Sequence, residues 1–221
     1  VITKMYAKDG GNASGAYEMH IENIETTVPT VEVPEHFKFV EIRENVYQVV
    51  EKVYVAQTET GAKFETLKEA IDAANETVTL LQPATGAGVV IDKNVTIDFG
   101  GYTYTFNEGV GSGSLTSNGF QILQGNTVVL KNGKLEVADA DASEFYILVQ
   151  NYANLTVEDM TLDGTNLDKW SLTDGDSYVL SNNSGTVTIT GATNITANND
   201  GDKAFAFDVC KYANYAVPTV N

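Results

Sequence analysis

The sequence predicts an all-β chain wound as a β-solenoid with three sheets, preceded by one amphipathic cap helix and a small N-terminal β-hairpin or extended arm. Three observations carry this. A two-run unit recurs four times between residues 95 and 196, with successive starts 33, 27 and 32 residues apart. Gly, Asn and Asp stand at the junctions of the runs. A single one-sided helical stripe lies just before the first unit. Short strands at a regular period with turn residues between them are the pattern of stacked coils.

Taken in order, residues 1–16 mix Gly, Asn, Ser, Lys and Asp without apolar periodicity and read as a flexible terminus or linker. Residues 17–60 read as the small β-module or arm: Met19, Ile21 and Ile24 stop at Pro29 and Pro34, then Phe37, Phe39 and Ile42 alternate before Val46-Tyr-Gln-Val-Val50. The β-helix is expected over 61–221. Its cap helix is placed at 64–75, because Phe64, Leu67, Ala70, Ile71 and Ala74 share one face and Glu65, Lys68, Glu69 and Asp72 the other. Asn75 is expected to end the helix in the left-handed conformation.

The four units are Val95–Phe106, Val128–Val137, Leu155–Asp163 and Val187–Thr196. A third short run precedes three of them: Phe120–Leu123, Phe145–Val149 and Tyr178–Leu180. Within the second unit, Asn132-Gly133 between alternating runs has the composition of a tight hairpin turn. Its three relatives point instead to a corner, with Val128 and Leu130 pairing to Leu155 and Val157 in the next coil. The competing arrangement is an antiparallel sandwich, in which Leu130 pairs with Leu135.

Composition narrows the function. The chain has 221 residues and a formal net charge of −17, with Arg43 the single arginine. Such a surface repels phosphate backbones and anionic lipid, so no nucleic-acid partner is expected. No apolar run is long enough to insert in a membrane. Cys210, the one cysteine, excludes an intrachain disulfide and is expected to be a small buried apolar residue. The chain opens on Val without a signal-like segment, so it reads as a processed or excised piece of a longer product. It stops at Pro218-Thr-Val-Asn221 without a second cap, which predicts further chain or a covering subunit.

The passage from Gly61 to Asn75, followed by Val78-Thr-Leu-Leu81 and Val95-Thr-Ile-Asp-Phe-Gly-Gly-Tyr-Thr-Tyr104, resembles the start of right-handed parallel β-helix modules with the pectin-lyase-like fold. The resemblance implies secreted or cell-surface proteins of gut bacteria. Phe37 to Lys52 resembles the small hairpin module found upstream of such domains. The fold alone does not fix a function.

Many members of that fold cleave acidic polysaccharides, yet the motifs of the lyases and of the polygalacturonase-like hydrolases are missing. Beyond the helix there is no arginine, and both histidines, His20 and His36, precede it. Lys131, Lys134, Lys169, Lys203 and Lys211 stand in no recognisable constellation. Asp139, Asp141, Asp159, Asp163, Asp168, Asp174 and Asp176 crowd the middle coils, where two carboxyls about 5 to 9.5 Å apart would serve a glycosidase. Outward Asp residues that cap corners account for the same pattern.

Asp174-Gly-Asp176 and Asp200-Gly-Asp202 offer oxygen ligands at close spacing, so Asp174, Asp176, Asp200 and Asp202 are the candidate Ca2+ ligands; a plain polar turn is the favoured explanation of each. Trp170 stands out among Tyr152, Tyr178, Tyr212 and Tyr215 as a flat surface for a sugar ring. Trp170, Tyr152 and Tyr178 are therefore the candidate carbohydrate-binding residues. The expected function is a non-catalytic, surface-exposed structural, adhesin-like or assembly subunit, a homo-oligomer through the N-terminal arm and the uncapped last coil. The alternatives are a phage virion fibre or decoration protein, and a carbohydrate-binding or polysaccharide-cleaving protein.

Overall fold

The computed structural model describes residues 4–9, 17–22, 33–43, 46–111, 116–138, 145–167, 176–198 and 203–221. The chain divides into two compact units, Val1–Val53 and Tyr54–Asn221.

The first unit is a four-stranded antiparallel sheet. Its strands β1 (Lys4–Asp9), β2 (Tyr17–Glu22), β3 (Phe37–Arg43) and β4 (Val46–Glu51) lie in the order β1-β2-β4-β3. Residues 1–16, read above as linker, contribute β1, which pairs with β2 from Lys4↔Glu22 to Asp9↔Tyr17. Six residues are too few for a period to show in sequence; the neighbouring strand supplies the structure. β3 and β4 form a hairpin in which the Phe39 ring stacks on Tyr47 at 5.0 Å.

The second unit is the β-solenoid, of about four turns. It opens with β5 (Ala56–Thr58), β6 (Lys63–Phe64) and α1 (Leu67–Ala73), followed by β7 (Thr77–Leu80), β8 (Ala84–Ala87) and β9 (Val89–Ile91). Next come β10 (Val95–Asp98), β11 (Thr103–Glu108), β12 (Asn118–Ile122), β13 (Thr127–Val137), β14 (Ile147–Asn151) and β15 (Asn154–Gly164). The last are β16 (Ser177–Asn183), β17 (Thr186–Thr190), β18 (Asn194–Ala197), β19 (Ala204–Cys210) and β20 (Thr219–Val220).

α1 is shorter than its apolar stripe. Phe64 pairs with Ala56 in β6, and Thr66 caps the helix: its hydroxyl accepts from Glu69 N at 3.2 Å while the Glu69 carboxylate accepts from Thr66 N at 3.2 Å. That reciprocal box satisfies two otherwise orphaned N–H groups. Leu67, Ala70, Ile71 and Ala74 are buried, and the helix packs on β5, β6 and β7. Asn75 takes no left-handed conformation; Ala74 is extended and ends the helix. The Glu59 carboxylate receives the chain there, accepting from Asn75 N at 3.1 Å and Thr77 N at 3.2 Å. Bonds from its own N–H and from those of Asn75 and Thr77 hold its pKa down at about 2.

The large sheet runs β20-β17-β15-β13-β10-β7 in parallel and ends in the antiparallel pairs β7–β5 and β5–β6. Val128 pairs with Val95 and Leu155, and Leu130 with Ile97 and Val157. Leu130 does not pair with Leu135, so Asn132-Gly133 is a corner and the hairpin sandwich is excluded. After the corner a second ladder runs through β8, β11, the later half of β13, the later half of β15, and β18. Its inward row is Tyr104, Leu135, Leu162 and Ile195.

Each corner places at least one residue at positive φ: Gly100 and Gly101, Asn132 (59°), Asp159 (51°) and Gly191 (63°). Where the corner is only two residues, Asn132-Gly133 or Asp159-Met160, the register is kept across it with only Asn132 and Asp159 left unpaired, and β13 and β15 each run for 11 residues. Longer corners, Phe99–Tyr102 and Gly191–Thr193, separate β10 from β11 and β17 from β18. Gly133 is glycine for want of space, since a Cβ there would lie 2.3 Å from the Cβ of buried Phe99.

The other sheet is parallel throughout, in the order β19-β16-β14-β12-β9. Between the two sheets lies one apolar core, in which Phe106 meets Phe120 edge to face at 4.9 Å and Tyr104 at 5.1 Å. Each fully buried Phe, Leu or Ile stabilises the coil by roughly 1.5 to 3 kcal/mol relative to exposure. The chain leaves this sheet through a corner of buried amides. Asn151 Nδ2 donates to Asn182 Oδ1 and to Ala153 O, both at 3.0 Å, and Asn182 Nδ2 donates to Gly185 O at 3.0 Å and Thr219 O at 3.1 Å.

Cys210, expected to be buried, is exposed at the end of β19. It pairs with Asn183, and β19 is the last strand of its sheet, so no further coil covers it.

Candidate functional site

The smaller sheet has one irregularity that repeats in every coil. The pairing of β12, β14, β16 and β19 leaves out Gly119, Leu148, Val179 and Ala206, while the positions on either side stay in register. Strict alternation would put Asn118 and Gln121 on opposite faces. The break puts them on the same face, where both amides reach Gln150 Oε1, at 3.3 and 2.7 Å.

Two rows therefore run across the outer face. One is Asn118, Ile147, Tyr178 and Phe205; the other is Gln121, Gln150, Ser181 and Asp208. In the first row Tyr178 stacks on Phe205 with ring centroids 5.6 Å apart and planes 20° off parallel. The Tyr178 hydroxyl donates to Asp176 at 3.0 Å. Burial, together with the Asp176 and Asp208 carboxylates, pushes its pKa up to about 12, so this phenol keeps its proton at neutral pH. In the second row Ser181 Oγ lies 3.3 Å from both Asp208 Oδ2 and Asn183 Oδ1, its one proton shared between them.

Beyond Asn183 the polar row meets a cluster of three tyrosines. Tyr152 contacts Tyr212 at 5.6 Å and Tyr215 at 5.9 Å, and Tyr212 contacts Tyr215 at 5.6 Å, all edge to face at 73° to 77°. Burial raises the Tyr152 phenol, while the Asn183 amide bonded to its oxygen pulls the other way. Tyr212 and Tyr215 stand at the ends of one tight turn, closed by Tyr215 N donating to Tyr212 O at 2.9 Å. Its second residue, Ala213, sits at φ 45°, a strained position for a side chain other than glycine. Tyr212 N donates to Ser184 Oγ at 2.6 Å, which fixes the turn to the edge of the sheet.

Of the expected site residues, Tyr152 and Tyr178 thus share one outer face, joined through Asn183, Ser181 and Asp208. Asp176 serves as an acceptor for Tyr178. Trp170, Asp174, Asp200 and Asp202 lie outside the described residues, as do Asp139, Asp141, Asp168 and Lys169. Among the described residues no three His, Cys, Asp or Glu side chains are grouped to hold a metal ion.

Among the remaining catalytic candidates, Lys131, Lys134, Asp159 and Asp163 hold coils together. Lys131 lies 3.5 Å from Asp98, and Lys134 lies 2.8 Å from both Glu136 and Asp163. Asp159 Oδ1 accepts from Ala192 N at 2.7 Å in the coil below. A separate pocket of about 190 Å³ beside α1 is lined by Val55, Leu67, Gly86, Ala87 and Tyr104 among others. There the Tyr104 hydroxyl is tied to Ala87 O at 2.9 Å, and burial raises the phenol far above its usual range, so it supplies no base.

The residues missed in sequence are Asn183, Ser181, Asp208, Tyr212 and Tyr215. Tyr212-Ala-Asn-Tyr215 carries a turn signal in Asn214, but nothing local ties it to Tyr152, some sixty residues earlier. Compared with family models, with curated proteins and with solved structures, the chain matches none.

Proposed function

We propose that the chain is a non-catalytic module of a secreted or cell-surface protein, structural and adhesin-like, in which the solenoid is the scaffold and one sheet face does the binding. In this reading the coil is right-handed with three faces, of the pectin-lyase-like kind that residues 61–104 resemble, and α1 serves as its cap. The observation that carries the function is the division of labour among outward side chains. Asp98, Asp159 and Asp163, which a glycosidase or lyase would set free in a cleft, are spent on inter-coil and corner contacts. The outer side of the other sheet instead presents rings, with Phe205, Tyr212 and Tyr215 exposed beside amides and a hydroxyl that are buried and bonded to one another.

The α1 reading rests on its buried stripe over the sheet end at which the parallel order gives way to antiparallel β5 and β6. Open solenoid ends expose strand edges and core, and a covering helix removes both liabilities. The test is reducing-sugar release by the full chain from a panel of plant and host glycans, with and without added Ca2+. The expected result is no release above buffer; sustained release from any substrate overturns the non-catalytic reading.

A further inference from the structure

We infer that the open edge of β8, with the apolar pocket beside α1, is a docking site for an extended peptide strand of another protein, one large apolar side chain flanked by basic residues. The site is separate from the sheet face above and does not depend on it. The first coil is unevenly covered. In the large sheet the row that ends at β7 is closed off by β5 and β6, and α1 packs over those strands. The second ladder ends at β8, which pairs with β11 and, among the described residues, with no strand on its other side. The backbone there is set to pair. Tyr102 O and Phe106 O accept from Lys134 N and Ala138 N, on the β13 side of β11. Alternate residues of a parallel strand bond to opposite neighbours, so Thr105 is the residue that bonds β8, to the two residues flanking its partner Thr85. Thr85, which is exposed, thus turns its own N–H and C=O to the open edge. An extended chain laid along β8 continues the ladder by the same pairing that joins the coils.

The pocket sets the side chain. It lies between the start of α1 and β8, lined by Val55, Leu67, Gly86, Ala87 and Tyr104, with a volume of about 190 Å³. Sites for drug-sized ligands begin at about 300 Å³, whereas a dry cavity of about 150 Å³ holds one benzene ring. The space therefore fits a single Phe, Leu or Ile side chain and is too small for a drug-sized molecule. Its walls are fixed. Leu67 is fully buried, and Tyr104 is tied by its hydroxyl to Ala87 O at 2.9 Å. That hydroxyl passes so close to Gly86 that a Cβ there would meet it at 2.5 Å, so the glycine keeps the ring in place. A pocket for one side chain beside an unpaired strand edge is the arrangement by which strand addition gains both affinity and specificity. Charge chooses the source of the strand: a chain of net charge −17 repels a second copy of itself and attracts a basic partner.

The test titrates the pentapeptide Lys-Thr-Phe-Thr-Lys, acetylated and amidated, into the isotope-labelled full chain and follows it by NMR. Binding in the millimolar range should shift the amides of Thr85, Gly86 and Ala87 together with the Leu67 methyls. Replacing the peptide's Phe by Ala should weaken binding by at least about tenfold, the loss of one buried ring. Replacing both of its Lys by Glu should weaken it in dilute salt. Thr85→Pro removes the open N–H at an edge position where proline is tolerated, and should abolish the β8 shifts while thermal melting shows the solenoid intact. If that variant does not fold, the Phe and Ala peptides on the unaltered chain decide the matter. No shift at millimolar peptide, equal binding of the Ala peptide, tighter binding of the Glu peptide, or undiminished binding to folded Thr85→Pro each overturns the proposal. A dimer of the free chain in sedimentation that Thr85→Pro dissociates also overturns it, by seating a second copy on this edge.

Discussion

The solenoid turns its two sorts of corner by different physics. At the corner inside the large sheet, the backbone does the work: Gly100, Asn132, Asp159 and Gly191 take positive φ, and side chains only trim the turn from outside. At the corner leaving the smaller sheet Gly125 and Ser184 also take positive φ, but buried side chains share the work: Asn151 and Asn182 lie fully buried and satisfy carbonyls that the bend would strand. The first kind costs conformational strain and is cheap to vary. The second kind stakes several buried polar groups on one amide and tolerates little change.

The sharpest way to break this contrast is Asn182→Ala. It strands Gly185 O and removes one of the two acceptors of Asn151 Nδ2, both in a buried setting, and takes the donor from the part-buried Thr219 O. The expected loss is about 3 kcal/mol in urea unfolding, from partners left without hydrogen bonds. A loss below that of an ordinary surface substitution would mean that the amide corner is incidental.

Asn132 sharpens the other side. Asn132→Ala should lose about 1 to 2 kcal/mol, because alanine tolerates φ 59° poorly. Asn132→Gly should stay within about 0.5 kcal/mol, since glycine occupies that region freely. Equal losses in both variants would shift the credit from backbone conformation to the Asn132 Nδ2 bond with Asp98, 3.2 Å long.

The smallest effect belongs to the charge trio beside that corner. Bonds that Lys134 donates to Asp163 and then Glu136 raise its pKa, while for Asp163 burial pushes up and the Lys134 and Thr165 bonds outweigh it, holding the carboxyl low. The lysine contribution is therefore complete below its ordinary value and lost as pH rises through the folded one. The Asp163 contribution is complete above the ordinary carboxylate range and lost as pH falls through its folded value. All three side chains are about a fifth to a third exposed, so Lys134→Met should cost under about 1 kcal/mol at neutral pH and flatten both limbs of the pH–stability curve. Urea midpoints across the pH range measure this.

What could be read in advance follows from the same division. Coil recurrence was legible because in-register pairing demands similar residues at Val95, Val128, Leu155 and Val187. The corner at Asn132 was legible because its relatives repeat. The extent of α1 was not, because Thr66 and Glu69 cut the stripe short through a hydrogen-bonded box that apolar spacing cannot register. The site was the least legible part. A skipped position in each strand of the smaller sheet changes which side chains face outward, so Phe205, an inward ladder residue by alternation, is 40 % exposed. The tyrosine cluster then draws on two segments, at Tyr152 and at the Tyr212–Tyr215 turn, that only coil stacking brings together.

The parallel register also bears on how this chain reaches its fold. From β10 onward, neighbouring strands of the large sheet are separated by 33, 27 and 32 residues, while Thr77 in β7 pairs with Thr96 in β10 across a shorter span. The search for a partner strand thus does not grow as the stack does. Loop closure of about thirty residues sets one modest entropic barrier, repeated coil by coil. Assembly can then advance as a front, each finished coil offering the template for the next, with a time that grows only in step with the number of coils.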